Sequence, residues 1–256
     1  MLLVVDVGNT QTHFGTYRDD VLVEHWRFAT VRDSTADELG AALRNLLELR
    51  GVTLGDLSAS VVSSTVPQLE PEWVSMAARY LDHEMLEVGP GLRTGMAIRI
   101  DNPRELGADR LVNAVAAHAR LGGPCISVDF GTAVNYDVVS AEGEYVGGII
   151  APGVEISLDA LTARGAKLPR IDLVPPRSAI GKGTVDAIRS GIIYGFAAQV
   201  DGIIRRIHDE LGAAAPAIAT GGLARHIVPF TESITEVDDL LTLAGLKLIY
   251  ERNASA

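Results

Sequence analysis

This chain is short of basic residues relative to acidic ones, and it has a single cysteine. Lys plus Arg number 22 against 33 Asp plus Glu, for a formal net charge of −11. That balance speaks against a general nucleic-acid binder, which needs a basic footprint, and against a polybasic membrane patch. With one cysteine, Cys125, no internal disulfide can form, and a reducing compartment fits. Cys125 opens the apolar run "CISVDF" and is expected to be a buried structural residue. The N-terminus lacks a basic leader region, and Asp6 interrupts its apolar run too early for a signal peptide. No apolar stretch approaches the roughly 20 residues of a membrane span. A soluble cytoplasmic protein without nucleic-acid or membrane partners is expected. The six histidines make no H-E-x-x-H spacing, and neither a G-x-S-x-G elbow nor a G-x-G-x-x-G fingerprint occurs. "IGKGT", Ile180 to Thr184, is not a P-loop, because Lys182 is followed by Gly183 and a proline-containing loop precedes it. Thr184 is expected to cap a helix there, with a ligand-contacting role open.

What is present reads as an α/β chain with ordinary hydrophobic (47%) and charged (21%) fractions. Its 256 residues suffice for one large or two medium domains. "LLVVDV" is a buried strand, and "THFGTYRDDVLVEHWRF" is a hairpin turning at Asp19 and Asp20. "STADELGAALRNLLELRG" is an amphipathic helix capped by Ser34 or Thr35 and ended by Gly51. A strand "SASVVSSTVP", a helix "EWVSMAARYL" and a strand "EMLEVGP" follow. In "DNPRELGADR", Asn102, Pro103 and Glu105 fit a cap, a first-turn proline and a capping box. A helix from about Asp109 to Gly122 joins two halves. The second half restarts like the first: strand "CISVDFGT", a hairpin turning at Glu142–Gly143, a helix from about Thr184 to Leu211, strand "APAIATGG" and a last helix "DLLTLAGLKLIYER". Trp26 and Trp73 are expected in cores. Gly191 and Gly195, beside the apolar stripe Ile188, Ile192 and Phe196, suggest a homodimer built on the long helix.

Two stretches carry the chemistry. "DVGNT" starting at Asp6 and "DFGT" starting at Asp129 each end a buried strand in a glycine turn. Gly8 and Gly131 bring bare backbone close to a ligand. Asn9, Thr10, Thr12 and Thr132 can donate to phosphate oxygens. Asp6 and Asp129 cannot touch phosphate without repulsion, but each can hold a cation that bridges to it. Gly221 and Gly222, in "ATGG", form a third strand-to-glycine turn that can admit a ring or ribose against backbone. Asp109, in "GADR", is a candidate base beside the fixed charge of Arg110, and also an ordinary helix cap.

Duplicated Asp-x-Gly turns with a Gly-Gly turn resemble the acetate and sugar kinase, heat-shock chaperone ATPase and actin superfamily. "DVGNT", "DNPRELGADR", "DFGTA", "GGIIAPG", "KLP", "IGKGT", "SGIIYG", "ATGG" and "LKLIYERN", in this order, are similar to type III pantothenate kinases from about Leu2 to Asn253. The resemblance implies two ribonuclease-H-like lobes, 1–114 and 115–256, with the nucleotide cleft between them. It implies phosphorylation of pantothenate to 4'-phosphopantothenate by ATP with Mg²⁺, activation by K⁺ or NH₄⁺, and a homodimer. Asp6, Val7, Gly8, Asn9, Thr10, Gln11, Thr12 and His13 would cover the ATP phosphates, with Thr132, Gly221 and Gly222 also on ATP. Asp6 would hold Mg²⁺ through water and Asp129 the monovalent cation. Ile100, Gly107, Ala108, Asp109, Arg110 and Thr184 would hold pantothenate, with Asp109 as general base, its carboxylate of low pKa. The chain departs from common family residues at Ile100 (tyrosine), Gly183 (asparagine or serine) and Val134 (threonine). The alternative is an ATP-binding regulatory or accessory protein of this fold without turnover.

Overall fold

The computed structural model describes residues 1–165, 169 and 171–254. Lys167 and Leu168 of the "KLP" stretch lie outside the described residues. The chain divides into two compact units. Unit 1 comprises Met1–Ala97, Asp101–Ala116 and Leu241–Ala256; unit 2 comprises Ile98–Ile100 and Ala117–Leu240.

Unit 1 is built on a five-stranded sheet of order β3-β2-β1-β4-β5. Its strands are β1 (Leu2–Val7), β2 (Gln11–Arg18), β3 (Val21–Ala29), β4 (Ala59–Ser64) and β5 (Met85–Glu87). β1 runs antiparallel to β2 and parallel to β4. Alternate residues Leu3, Val5 and Val7 enter a core with Leu39, Leu43 and Leu47 of α1 (Ala36–Glu48) and Trp73, Met76 and Ala77 of α2 (Glu70–Tyr80). The choice at the start of α1 falls on Thr35. Its hydroxyl accepts the Glu38 N–H at 3.3 Å, and its own N–H donates to the Glu38 carboxylate at 2.9 Å. Trp26 packs on this core, stacked on Phe14 at 5.0 Å between ring centres.

The C-terminal helix belongs to unit 1. In chain order it is α7 (Leu241–Ala254), and it packs on β1, β2 and β4. Its side chains are buried nearly all round, because Leu243 sits over Gly15 while Gly245 lies against the backbone of α3 (Ala108–Leu121). Lys247 reaches out of this packing to Asp20 at 2.8 Å, tying α7 to the β2–β3 turn.

Unit 2 repeats the plan with order β10-β9-β6-β7-β8. Here β6 (Cys125–Phe130) is central, β7 (Ala133–Val139) and β8 (Tyr145–Pro152) follow as antiparallel strands, and β9 (Ala217–Thr220) and β10 (Ile234–Val237) lie parallel on the other side. β1 to β5 therefore match β6 to β10 one for one. Cys125 is buried, and that burial pushes its thiol up to about 12, so it stays an inert thiol. Among the strands and α-helices, β10 and α4 (Val154–Arg164) escaped the sequence reading, as did the 3-10 turns Leu54–Asp56 and Val228–Phe230.

The long helix α5 (Thr184–Leu211) has the expected bounds. Its stripe Ile188, Ile192 and Phe196 is buried in the core of unit 2 with Val128 and Phe130, which corrects the reading of that stripe as part of a dimer surface. Gly191 and Gly195 remain exposed. Gly183, not Thr184, is the cap residue of α5, and Thr184 makes no side-chain cap bond. Among the described residues no helix is long and apolar enough to cross a membrane.

The glycine pair Gly245 and Gly202 tests this packing. A Cβ at Gly245 would collide with the Val112 carbonyl, whereas one at Gly202, in α5, meets nothing within 4 Å. Gly245→Ala is expected to cost about 1–3 kcal/mol by overpacking. Gly202→Ala is expected to be neutral or to gain up to about 1 kcal/mol from helix propensity. Thermal unfolding of both variants checks this; equal effects would contradict the α3–α7 packing.

Candidate active site

In unit 1 the Asp6 turn leaves the end of β1 and enters β2. The Gly8 N–H donates to the Gln11 carbonyl at 3.1 Å, closing the turn. Two threonines brace it from outside. The Thr30 hydroxyl donates to the Gly8 carbonyl at 2.8 Å, and the Thr65 hydroxyl donates to the Val7 carbonyl at 3.1 Å. Asn9, Thr10 and Gln11 are exposed at the tip, and Asp6 is half-buried. The Asn9 side-chain oxygen accepts from Arg32 at 3.4 Å.

Thr12 and His13 point elsewhere than their neighbours in the motif. Thr12 is 1% exposed, and its hydroxyl pairs with that of Thr30 at 3.0 Å. His13 is also buried, with its Nε2 3.2 Å from His25 Nδ1. Burial first, then the charges of Arg27 and His25, lower its pKa from 6.5 to about 3, so it is neutral at any working pH. Both residues thus sit among protein partners, whereas Asn9, Thr10 and Gln11 are open to solvent.

In unit 2 the matching turn is one residue shorter: the Gly131 N–H donates to the Ala133 carbonyl at 3.0 Å. Asp129 is half-buried and Thr132 is exposed. The Gly-Gly turn lies directly beside it. Gly221 has φ +93°, and a Cβ there would fall 2.5 Å from Asp129 Oδ1, so the position demands glycine twice over. Gly153, the cap residue of α4, likewise abuts the Thr132 carbonyl with no room for a Cβ. The third turn and the end of "GGIIAPG" are therefore joined to the Asp129 turn. Ile100 and Thr184 also belong to unit 2, half-buried and exposed respectively. Ile100 follows a short bridge that pairs Ile98 with Tyr145.

Gly107 to Arg110 belong to unit 1. The Asn102 side chain accepts the Arg104 N–H at 3.3 Å and donates to Glu105 at 2.8 Å, closing a single 3-10 turn. The chain then restarts as α3, whose first bond runs from the Leu111 N–H to the Gly107 carbonyl at 3.1 Å. The Asp109 carboxylate folds back over Gly107, where a Cβ would lie 2.6 Å from its Oδ1. Burial raises the Asp109 pKa above 3.8, against the lowering influence of the Arg110 N–H, the Arg110 charge and its own N–H. This corrects the expectation of a low-pKa carboxylate. A desolvated carboxyl is a stronger proton acceptor, which suits a general base.

Could these residues hold a divalent cation? Among the described residues no group of three His, Cys, Asp or Glu forms a metal cage. A half-buried carboxylate at a phosphate-type turn fits Mg²⁺ nonetheless, because that ion keeps most of its waters and takes one or two carboxylates plus substrate phosphates.

The duplicated sheets and their strand-end aspartates define the class: a two-unit α/β fold of the kind shared by actin-like ATPases and sugar kinases. The activator of 2-hydroxyisocaproyl-CoA dehydratase from Clostridium difficile, solved with bound ADPNP, matches 99% of this chain and 96% of its own length. Its TM-score is 0.59 at 13% identity. (R)-2-hydroxyglutaryl-CoA dehydratase component A from Acidaminococcus fermentans matches 100% of this chain and 99% of its own, with TM-score 0.58 at 15% identity.

Sequence narrows the class. The type III pantothenate kinase family pattern matches residues 2–206. The type III pantothenate kinase of Moorella thermoacetica is 51% identical over 253 residues, covering 99% of this chain and 100% of its own. That of Acidothermus cellulolyticus is 51% identical over 254 residues, covering 99% of each. The chain belongs to the type III pantothenate kinase family.

His13 gives the site a pH test. It is neutral in the folded state down to about pH 3, whereas unfolded it takes a proton below about 6.5. Stability is therefore expected to fall as pH drops from about 6.5 towards 3. Chemical denaturation at several pH values should show a shallower decline for His13→Gln. An unchanged slope would mean that His13 is protonated in the fold.

Proposed function

We infer that this protein transfers the γ-phosphoryl group of ATP to the primary hydroxyl of pantothenate, giving 4'-phosphopantothenate and ADP, the first step of coenzyme A synthesis. The observation that carries it is full-length identity of about half with relatives named for that reaction, joined to an intact "GADR" and both Asp-x-Gly turns.

In the proposed mechanism, Asp6 to Gln11 take the ATP phosphates through the exposed turn tip, while Thr12 and His13 stiffen the strand behind it. Thr132 and the bare backbone of Gly221 and Gly222 contact ATP from unit 2's turns. Gly107, Ala108, Arg110, Ile100 and Thr184 hold pantothenate, with Arg110 as the partner for its carboxylate. Asp109 orients the hydroxyl and takes its proton as the oxygen–phosphorus bond forms and the bond to the departing ADP oxygen breaks. Asp6 would hold Mg²⁺ through water, which when bound neutralises phosphate charge. Asp129 would hold K⁺ or NH₄⁺. A phosphoryl group in such a loose transition state needs placement and charge stabilisation more than covalent help, and these residue types supply both.

Two further readings belong to this proposal. The enzyme works as a homodimer, for which the exposed small face of α5 at Gly191 and Gly195 remains a candidate surface. It works in the cytoplasm, in keeping with one buried cysteine.

A coupled ADP-release assay tests the activity. Release is expected with pantothenate and is expected to require it. ADP release independent of pantothenate, or none at all, would leave an ATP-binding accessory protein. Asp109→Asn is expected to lower kcat by about 10²–10⁴-fold while ATP binding is kept. Because burial raises the Asp109 pKa, the acid limb of the wild-type kcat/KM profile should lie above the ordinary 3.8, with activity lost as the carboxylate gains its proton. A mutant with wild-type kcat would reduce Asp109 to a helix cap.

A further inference from the structure

A row of four side chains crosses the sheet of unit 1 at the level of Asp6. The strand register sets Ser63 of β4, Asp6 of β1, His13 of β2 and Arg27 of β3 side by side. Register partners project to one face of a sheet, so these groups are neighbours. On one flank of Asp6 stands His13, buried against His25 with 3.2 Å between their ring nitrogens. On the other flank, Ser63 is fully buried, and its hydroxyl donates to Asp6 Oδ1 at 2.8 Å. A hydroxyl that donates to a carboxylate makes a charge-assisted bond, stronger than a neutral one.

Unit 2 supplies an internal comparison. Its matching row is Thr220 of β9, Asp129 of β6, Asn135 of β7 and Ile150 of β8. Histidine has become asparagine and arginine has become isoleucine, but a hydroxyl residue again flanks the aspartate on the parallel-strand side. Thr220 is 2% exposed. Two units that have diverged elsewhere in the row both carry a buried hydroxyl at this one place.

We propose that Ser63 is a positioning residue: it fixes the Asp6 carboxylate in the orientation that receives the metal–ATP complex. The proposal rests on the reading of Asp6 as the metal-side carboxylate. Nothing else about Ser63 suits it to contact ligand, since it is sealed from solvent. Its effect must therefore pass through Asp6 and must depend on the metal.

The test is equilibrium binding of ATP, with Mg²⁺ and with EDTA, to wild type, Ser63→Ala, Asp6→Ala and the double variant. Ser63→Ala is expected to weaken Mg²⁺–ATP binding about tenfold, the scale of a lost charge-assisted bond. Binding of metal-free ATP and the KM for pantothenate are expected to stay unchanged. In the Asp6→Ala background, Ser63→Ala should add nothing, because its effect runs through that carboxylate. Wild-type Mg²⁺–ATP affinity in Ser63→Ala, beside a weakened Asp6→Ala, would overturn the positioning role and leave the Asp6 reading standing. Wild-type affinity in Asp6→Ala would overturn both. An additive loss in the double variant, or an equal loss of metal-free ATP binding, would show that Ser63 serves the sheet rather than Asp6.

Discussion

A carboxylate at the end of a central strand is the constraint on which this structure is arranged. β1 and β6 are each flanked on both sides, so their residues are buried wherever the strand continues. A charge in mid-strand would pay the full cost of leaving water. At the penultimate position Asp6 and Asp129 are half-buried, and the chain then departs through glycine. Each carboxylate is held by the sheet yet open to a cation. The rest of each unit supports that position: α1 and α2 cover one face of β1, α7 covers the other, and α5 covers β6.

The two aspartates occupy equivalent places with unequal surroundings. Asp6 has a longer turn with an exposed Asn9 and Thr10, the hydroxyl of Ser63 and a neutral His13. Asp129 has a shorter turn, the backbone of Gly221 pressed against its Oδ1, and α4 starting at Gly153 beside Thr132. One site is rich in side-chain donors and the other in nearby backbone. Equivalent topology therefore leaves room for two different cations. Asp109 differs from both: it lies at the start of a helix, where burial raises the same functional group's pKa above its ordinary value.

Much of this was legible in the sequence because it depends on local pattern. Val4 and Val5 followed by Asp6 and Gly8 announce a strand that ends in a turn, and Cys125 to Gly131 repeat the signal. The helix capped at Ser34 or Thr35 and the extent of α5 follow from residue spacing. What failed depends on tertiary context. α4 follows a proline-glycine pair and has little one-sided apolar pattern, and β10 is only four residues at a sheet edge. The stripe Ile188, Ile192 and Phe196 was visible, but which surface would cover it was not, and unit 2's own sheet does so. Thr12 and His13 share a motif with Asn9 and Thr10, yet they lie in a strand covered on both faces, so each is buried on its own side of the sheet. The Ser63 bond to Asp6 spans 57 residues and has no local signal.

In the proposed mechanism Asp6 and Asp129 hold different ions. Initial rates of wild type and of the two alanine variants, in K⁺, NH₄⁺ and Na⁺ chlorides at matched ionic strength, test it most directly, since general screening then cancels. The account requires strong activation of the wild type by K⁺ and NH₄⁺ but little by Na⁺. Asp129→Ala should lose that preference, and Asp6→Ala should be impaired in Mg²⁺–ATP use in every salt. Equal wild-type rates in Na⁺ and K⁺ would contradict the account and make Asp129 a second carboxylate on the Mg²⁺ side.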